Sequence, residues 1–263
     1  MDRLISHFEK YFDVIPATSP ELLHECRKLR YQVLCIENHY LEEDSNAYEM
    51  DEFDNRSAHS LILHKDSGIY AATVRMVLPS QTNILDDFPM ESYLPAGCRV
   101  EYDNLMHAPR MHLGEISRFM ISKHFRQRIG EDNTPDGLGD DFGLLPPKVK
   151  RQFAAQISLG LFKAIFQMSA KHDIQFWLAL MEHRLIRLLA RIGVHFNHLS
   201  DSIKFFGTRH VCFENANEIL LGIHRQRPDI WDFLTENGLL SLKKTSKPSI
   251  VPTIEHLREK SLS

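Results

Sequence analysis

Three short stretches of this sequence place charged side chains in or beside apolar runs. Charges inside apolar strands cost several kcal/mol unless they are paired. The first stretch, residues 49–54, contains Glu49, Asp51 and Asp54. The second, 74–79, contains Arg75, and the third, 114–119, contains Glu115 and Arg118. Mutual pairing would explain all of them as a structural ion network. A carboxylate beside arginines can also act as a base that accepts a proton. A neighbouring guanidinium can then bind the carboxylate of another molecule. The residues alone leave both interpretations open.

The third stretch, Gly114-Glu115-Ile116-Ser117-Arg118-Phe119, has the pattern of a strand that carries two charges. Because side chains alternate across a sheet, Glu115 and Ser117 should share one face and Arg118 should lie on the other. A β-bulge at this point would bring Arg118 nearer to Glu115.

The hydrophobic pattern predicts an α+β domain with helices on both faces of a sheet. Strands are expected at 11–15, 60–64, 69–78, 112–122, 174–180, 203–206 and 218–224. Helices are expected from Ser19 to about residue 37 and at 147–171, 182–192 and 225–234. Long loops are predicted at 79–110 and 130–147. We expect residues 1–240 to form a single domain and the polar residues 241–263 to form a tail.

Composition excludes several classes of protein. Hydrophobic residues make up 43% and charged residues 25% of the chain, which is typical of a globular domain. The net charge of −4 gives no basic field for nucleic acid. No apolar run approaches the roughly 20 residues of a membrane-spanning helix, so a cytoplasmic protein is expected. The four cysteines lack metal-site spacing and are expected to be mostly buried apolar residues.

Taken in order, the charged stretches resemble the signature of acyl-homoserine-lactone synthases. The resemblance covers residues 30 to 210. Its parts are Arg30 in the first helix, Glu49-x-Asp51-x-x-Asp54, the Arg75 strand ending in Leu78-Pro79, Glu115-x-Ser117-Arg118-Phe119, Met181-Glu182 and Leu188 to Gly193. N-acyl amino acid synthases and the acyltransferases linked to PEP-CTERM/exosortase systems are similar too. The resemblance implies the GNAT acyltransferase fold, with a mixed, mainly antiparallel sheet and helices on both faces.

The resemblance also implies roles for these residues in the attack of an amine on a thioester. Glu115 is the expected base, and Arg75 and Arg118 complete the catalytic set. Binding of the acceptor is expected at the remaining charged residues, which are Arg30, Glu49, Asp51 and Asp54. For Arg30 and Glu49, a solvated or helix-face salt bridge is an almost equal explanation.

The sequence departs from the synthase pattern at two positions after Arg30. The family has a phenylalanine and a tryptophan there, which line its S-adenosylmethionine pocket, whereas this chain has Leu34 and Tyr40. The difference favours an amino acid or similar amine as acceptor. A homoserine-lactone synthase is the alternative, and a non-catalytic protein that binds an acyl carrier or a lipid is another.

The donor implied by the resemblance is an acyl chain on a phosphopantetheine arm, with no permanently bound cofactor. Residues 126–131 match only part of the glycine-rich turn that binds coenzyme A, which favours acyl carrier protein as the partner. Basic residues that could dock this acidic partner are Lys123, Arg126, Arg128, Lys148 and Lys150, although a solvated basic face explains them equally well. Phe176 and Trp177 are candidates to line an acyl slot, with core packing as the competing explanation.

Overall fold

A mixed β-sheet lies at the centre of the computed structural model, which describes residues 3–83, 86–94, 110–126, 147–190, 193–198, 202–240 and 242. Its strands are β1 (Phe12–Pro16), β2 (Ser57–His64), β3 (Ile69–Val77), β4 (Leu113–Ile121), β5 (Phe176–Met181), β6 (Asn197–His198), β7 (Ile203–Lys204) and β8 (Thr208–Asn215). The strand order is β1-β2-β3-β4-β5-β8-β6, with β7 paired to β8. Among these strands only β4 and β5 pair in parallel.

Helices connect and cover the strands. The α-helices are α1 (Arg3–Tyr11), α2 (Pro20–Tyr31), α3 (Lys123–Arg126), α4 (Pro147–His172), α5 (His183–Ala190), α6 (Ala216–Gln226) and α7 (Pro228–Thr235). Short 3-10 helices span Glu52–Arg56, Pro89–Tyr93 and Arg110–His112, and a π-helical stretch spans Gln32–Glu37. No helix in the described ranges is long and apolar enough to cross a membrane.

Neighbouring residues of β2 show that helices cover both faces of the sheet. Ile62 belongs to the core cluster built around α4, whereas Leu61 packs with Cys26 and Leu29 of α2. Because neighbouring side chains of a strand point to opposite faces, α2 and α4 lie on opposite faces. The prediction of an α+β fold with a mixed, mainly antiparallel sheet is confirmed.

The start of α2 follows from its sequence, but its end does not. Ser19 caps the helix by accepting a hydrogen bond from the Leu22 N–H, and Pro20 occupies the first turn. The expected continuation to residue 37 is not α-helical, because the chain widens into the π-helical stretch. Such stretches are frequent at functional sites, and Leu34 lies within this one.

One strand prediction is wrong, and two strands, β6 and β8, are not predicted. Residues 218–224 form part of α6, because the Asn215 side chain caps that helix by accepting hydrogen bonds from the Asn217 and Glu218 N–H groups. The apolar residues of α6 then follow a helical spacing. The preceding strand, β8, has an apolar run of only three residues, so its pattern is weak.

Several predicted segments lie wholly or mostly outside the described residues. They are the insertion at 130–147, of which only Pro147 is described, and the tail at 241–263, of which only Leu242 is described. The predicted loop at 79–110 is described in part, and a 3-10 helix occupies Pro89–Tyr93 within it. The three described cysteines, Cys26, Cys35 and Cys212, are buried as expected.

The parallel pair β4–β5 is hydrogen-bonded over only part of its length. Its register runs from Leu113↔Phe176 to Ile116↔Ala179. Beyond Ile116, β4 pairs with β3, and beyond Ala179, β5 pairs with β8. The two strands therefore diverge within the sheet, and the opening exposes the end of each strand to a cleft.

Gly160 in α4 provides a test of how closely the N-terminal helix packs on the core. A Cβ atom at Gly160 would lie 2.1 Å from Cε2 of the buried Phe8 and 3.2 Å from Cδ1 of Ile62. Gly160→Ala should lower the free energy of unfolding by about 1–3 kcal/mol in urea denaturation, because Phe8 must shift. In the control Gly222→Ala, the nearest atom is 3.7 Å away, so the change should be neutral or stabilising by up to about 1 kcal/mol. Equal effects would contradict this packing.

Candidate active site

The acidic cluster is shaped first by local backbone capping. Asp51 is the N-cap of the 3-10 helix Glu52–Arg56, and its carboxylate accepts a hydrogen bond from the Phe53 N–H at 3.0 Å. Asp54 accepts one from the Asp51 N–H at 2.8 Å and completes a capping box. These bonds hold both carboxylates on one side of the helix, facing β3 and β4.

Arg30 enters this cluster from α2. Its side chain is fully buried and binds Asp54 through two parallel hydrogen bonds of 2.6 and 3.0 Å. Its Nε donates to Glu49. A solvated helix-face salt bridge therefore does not describe Arg30 or Glu49, since both belong to a buried network.

Arg118 reaches the same cluster because β4 contains the bulge that the sequence allowed. Between Thr73↔Met120 and Arg75↔Ser117, β4 advances three residues while β3 advances two. Arg118 lies at the irregularity with a φ of 52°, a left-handed conformation that non-glycine residues adopt at a cost of about 1 kcal/mol or more. The Arg118 side chain consequently lies on the same face as Arg75.

Six charged side chains close into a ring in which acids and bases alternate. In order around the ring they are Arg30, Glu49, Arg118, Asp51, Arg75 and Asp54. We call this set the ion ring. Its three positive and three negative charges balance. The ion ring therefore brings together every charged residue of the predicted catalytic and acceptor-binding sets except Glu115.

The pKa values of the ion-ring carboxyls follow from this arrangement. Burial alone would raise the pKa of Glu49, but Arg118 and Arg30 outweigh burial and lower it to about 2. The pKa of Asp54 is also lowered, chiefly by Arg30, against the opposing effect of burial. His59, whose Nε2 is 3.4 Å from Asp54, has a pKa lowered to about 4 by burial and is neutral at pH 7.

Removal of one ion-ring arginine should destabilise the fold. Arg30→Met removes the main partner of buried Asp54 and one of the two arginine partners of buried Glu49, and we expect a loss of about 3–5 kcal/mol in the free energy of unfolding. Lys28→Met on the same helix is the matched control, since its pair with Glu25 is exposed and should be worth less than about 1 kcal/mol. Chemical denaturation at pH 7 measures both. Similar losses in the two variants would show that the ring does not stabilise the fold.

Glu115 lies on the same face of β4 as the ion ring but is not part of it. The residue is 4% exposed, and its Oε2 accepts a hydrogen bond from the Met90 N–H at 2.8 Å. Within the described chain this is the only hydrogen bond to the carboxyl group. Burial raises the pKa of Glu115 to about 7, although Met90, Arg75 and Arg118 act in the opposite direction. The carboxyl is thus poised to take up or release a proton near neutral pH.

A cleft opens where β4 and β5 diverge, and Glu115 lines it. On one face of the sheet its walls include Met90, Tyr93, Leu180 and Arg118. The walls on the other face are apolar and come from β5, α4, α5 and the segment after α5. Those apolar residues are Met181, Phe162, Ile165, Leu185, Leu189 and Phe196. A polar end that carries Glu115 therefore continues through the sheet into an apolar slot.

The raised pKa of Glu115 makes a prediction about stability. The folded state holds a proton that the unfolded state releases between pH 4.5 and about 7. This group therefore favours folding below pH 4.5, and its contribution is lost as pH rises through 7. Glu115→Gln stays neutral and can still accept the Met90 N–H. At pH 8 it should exceed wild type in the free energy of unfolding by roughly 1–3 kcal/mol, and the difference should shrink as pH falls from about 7 to 4.5.

The control for this comparison is Glu52→Gln, which removes an exposed carboxyl. Urea titrations across pH 4–8 should show this variant following wild type. A Glu115→Gln variant that tracks wild type at every pH would contradict the raised pKa of Glu115.

The aromatic pair predicted to line an acyl slot lies elsewhere. Trp177 is fully buried in the core, where its indole N–H donates to Ser169 Oγ at 2.9 Å and its ring meets Phe166. Phe176 stacks on Phe213 in a separate cluster. Neither residue is among those that line the cleft. Both precede the point of divergence, whereas the later β5 residues line the slot.

Of the predicted carrier-docking residues, only Lys123 has a described side chain, and it is exposed. Arg128 lies outside the described residues, as do the side chains of Arg126, Lys148 and Lys150. Among the described residues no group of three or more His, Cys, Asp or Glu side chains is placed to hold a metal ion.

The cleft is also lined by a turn with two aromatic residues, a role that the sequence does not predict. Phe205 and Phe206, between β7 and β8, line the cleft together with Tyr93, whose ring centroid is 4.4 Å from that of Phe205. Arg209 donates to the carbonyls of both phenylalanines and forms a buried ion pair with Glu182 at 3.0 Å. The sequence pattern placed Phe205 and Phe206 in a strand at 203–206, whereas β7 ends at Lys204 and both residues lie in the turn before β8.

Residues 29–133 match the model of the acetyltransferase (GNAT) domain. The chain has the GNAT fold. This match and the fold identify the enzyme class as N-acyltransferase, and the matched range holds the ion ring and Glu115. A comparison with curated protein sequences gave no match.

Several solved structures share the fold of this acyltransferase. TofI, solved in a ternary complex with an inhibitor and MTA, aligns with a TM-score of 0.54 at 17% identity, over 84% of this chain and 96% of TofI. BjaI, described as a CoA-dependent acyl-homoserine lactone synthase with SAM and isopentyl-CoA, aligns with a TM-score of 0.54 at 15% identity, over 96% and 99%. FeeM, an N-acyl amino acid synthase from uncultured soil microbes, gives 0.51 at 10% identity, over 82% and 96%. Identities this low show a common fold.

Proposed function

We propose that this acyltransferase moves a fatty acyl group from a phosphopantetheine thioester to the amine of an amino acid or a similar acceptor. The observation that carries the proposal is the cleft at the β4–β5 divergence. Glu115 stands at its polar end, and an apolar slot continues through the sheet. A site for amide formation with a fatty acyl chain needs both parts.

The proposed reaction begins with a proton transfer. An ammonium group is not a nucleophile, so Glu115 takes one proton from the acceptor, directly or through water. Such general base catalysis typically contributes about 10²–10⁴-fold. The free amine attacks the thioester carbonyl, the C–S bond breaks, and the thiolate leaves and takes up a proton. The products are an amide, a free thiol and one proton released to solvent.

Arg118 is the ion-ring residue best placed to meet an acceptor carboxylate. It lines the cleft, and its side chain keeps 16% exposure, whereas Arg30 and Arg75 are fully buried. A guanidinium binds a carboxylate through two parallel hydrogen bonds. In this proposal Glu49 and Asp51 orient Arg118, and Arg30, Arg75 and Asp54 hold that assembly in place.

The donor in this proposal is an acyl thioester whose chain enters the apolar slot. We favour acyl carrier protein, with exposed Lys123 as part of its docking face, and acyl-coenzyme A is the competing donor. BjaI, which shares the fold, was solved with isopentyl-CoA. Because these thioesters are made in the cytoplasm, the proposal also places the enzyme there.

Homoserine-lactone synthesis is the second candidate, favoured by one observation at the cleft. Leu34 lines the cleft, and Tyr40 packs on Phe206 with ring centroids 5.2 Å apart. An aromatic surface therefore remains near the position where the resembled synthases have their aromatic pair. The product of the reaction separates the two candidates.

The test is mass spectrometry of organic extracts from cells that overproduce the protein. Wild type should yield an N-acyl amino acid, and Glu115→Gln should reduce it at least 100-fold, in line with loss of a general base. Glu214→Gln is the matched control, because this partly buried glutamate of β8 also has a pKa raised by burial yet lies outside the cleft lining. Its yield should stay within a few-fold of wild type.

The other outcomes are equally specific. An acyl-homoserine lactone would establish the second candidate. Equal product from wild type and Glu115→Gln would refute the base assignment. If no product forms, purified protein with acyl carrier protein and acyl-coenzyme A thioesters decides the matter, since binding without turnover on any amine tested would establish a non-catalytic binding protein.

A further inference from the structure

The hydrogen bond to Glu115 comes from the first turn of the 3-10 helix Pro89–Tyr93. The Met90 N–H that donates to Glu115 belongs to a group of N–H donors that helices leave unsatisfied at their start. Met90 is itself fully buried. The position of this short helix thus fixes the position of the Glu115 carboxyl group.

The short helix is held by a bidentate ion pair. Arg110 donates from Nη1 and Nη2 to the two oxygens of Glu91, at 2.9 Å each, and from Nη2 to the Asp86 carbonyl at 3.0 Å. Its guanidinium also lies 5.3 Å from the centre of the Phe88 ring. Glu91 in turn accepts the Phe88 N–H and so caps the same helix. Arg110 therefore ties the helix to the residues directly before β4, the strand of Glu115.

The charge of Glu91 also acts on Glu115 directly. Glu91 raises the pKa of the Glu115 carboxyl, and Arg110 offsets part of that charge because it is bound to Glu91. Charged groups from several elements face Glu115. They are Arg75 on β3, Arg118 on β4, Glu91 and Arg110 around the short helix, and Arg56 at the end of Glu52–Arg56.

We propose that Glu91 and Arg110 are positioning residues for Glu115, which hold the Met90 N–H on its carboxylate and balance the charge beside it. This inference rests on the proposed role of Glu115 as the base. Neither residue is among the groups assigned to the reaction above, and neither touches the reacting atoms.

Glu91 and Arg110 carry opposite charges, so the two single variants should shift the pKa of Glu115 in opposite directions. Arg110→Gln removes the positive charge that is paired with the Glu91 carboxylate, so the pKa of Glu115 rises. Glu91→Gln removes the negative charge while keeping an acceptor for the Phe88 N–H, so the pKa of Glu115 falls. The double variant removes both charges and returns close to wild type. A simple loosening of the helix would weaken the Met90 bond in either single variant and raise the pKa in both.

The experiment measures the Glu115 pKa by carbon-13 NMR titration of protein labelled at glutamate side-chain carboxyls. The Glu115 signal is assigned by its absence in Glu115→Gln. We expect a shift of roughly 0.5–1 pH unit upward in Arg110→Gln and a shift of similar size downward in Glu91→Gln. The acidic limb of kcat/KM should move with each shift. Arg227→Gln, which breaks the ion pair with Asp229 on α7, is the matched control and should move neither quantity.

The outcomes distinguish this inference from the proposed function. Shifts in the same direction in both single variants, or no shift in either, would overturn the positioning role. Retained turnover in Glu115→Gln would instead overturn the base assignment, and the NMR titration would still report whether the pair acts on this carboxyl. Denaturation curves of each variant confirm that a folded protein is being compared.

Discussion

The closed ring of alternating charges is the constraint on which the rest of the structure depends. Its members come from α2, the acidic segment, β3 and β4, which are distant in sequence. Buried charges are tolerated only when partners and hydrogen bonds offset the loss of water. Each ion-ring residue has two such partners, so the ring favours the arrangement in which these four segments meet. The ion ring fixes α2 against the sheet and directs Arg118 toward the cleft.

The neutrality of the ion ring explains the state of the neighbouring Glu115. Arg75 and Arg118 stand close enough to favour its ionised form, yet their charges are already balanced by Asp51, Asp54 and Glu49. Burial therefore dominates, and Glu115 keeps a pKa near neutrality. Two populations of carboxylate coexist within one small region, one held ionised and one able to exchange a proton. A site for amine activation needs this separation.

The sequence predicted the charged cluster, the fold class and most of the strands, because alternation and residue type are local properties. The sequence allowed a bulge at Arg118 but did not predict it, because no residue type in Glu115 to Phe119 requires one. The cleft wall was assigned to Phe176 and Trp177 because both lie in an apolar strand. Their place before the β4–β5 divergence depends on long-range pairing, which no local pattern encodes. The Glu91–Arg110 pair was missed for the same reason.

The bulge in β4 also affects how the sequence of this enzyme can evolve. Loss of a single codon between Arg118 and Met120 would restore a regular ladder with β3, since the bulge is one residue of excess. Every side chain on the later part of the strand could keep its pairing, and the sheet would survive. Arg118 or its replacement would then point to the opposite face, away from the ring. A deletion of one residue could therefore remove Arg118 from the ion ring while leaving the sheet intact.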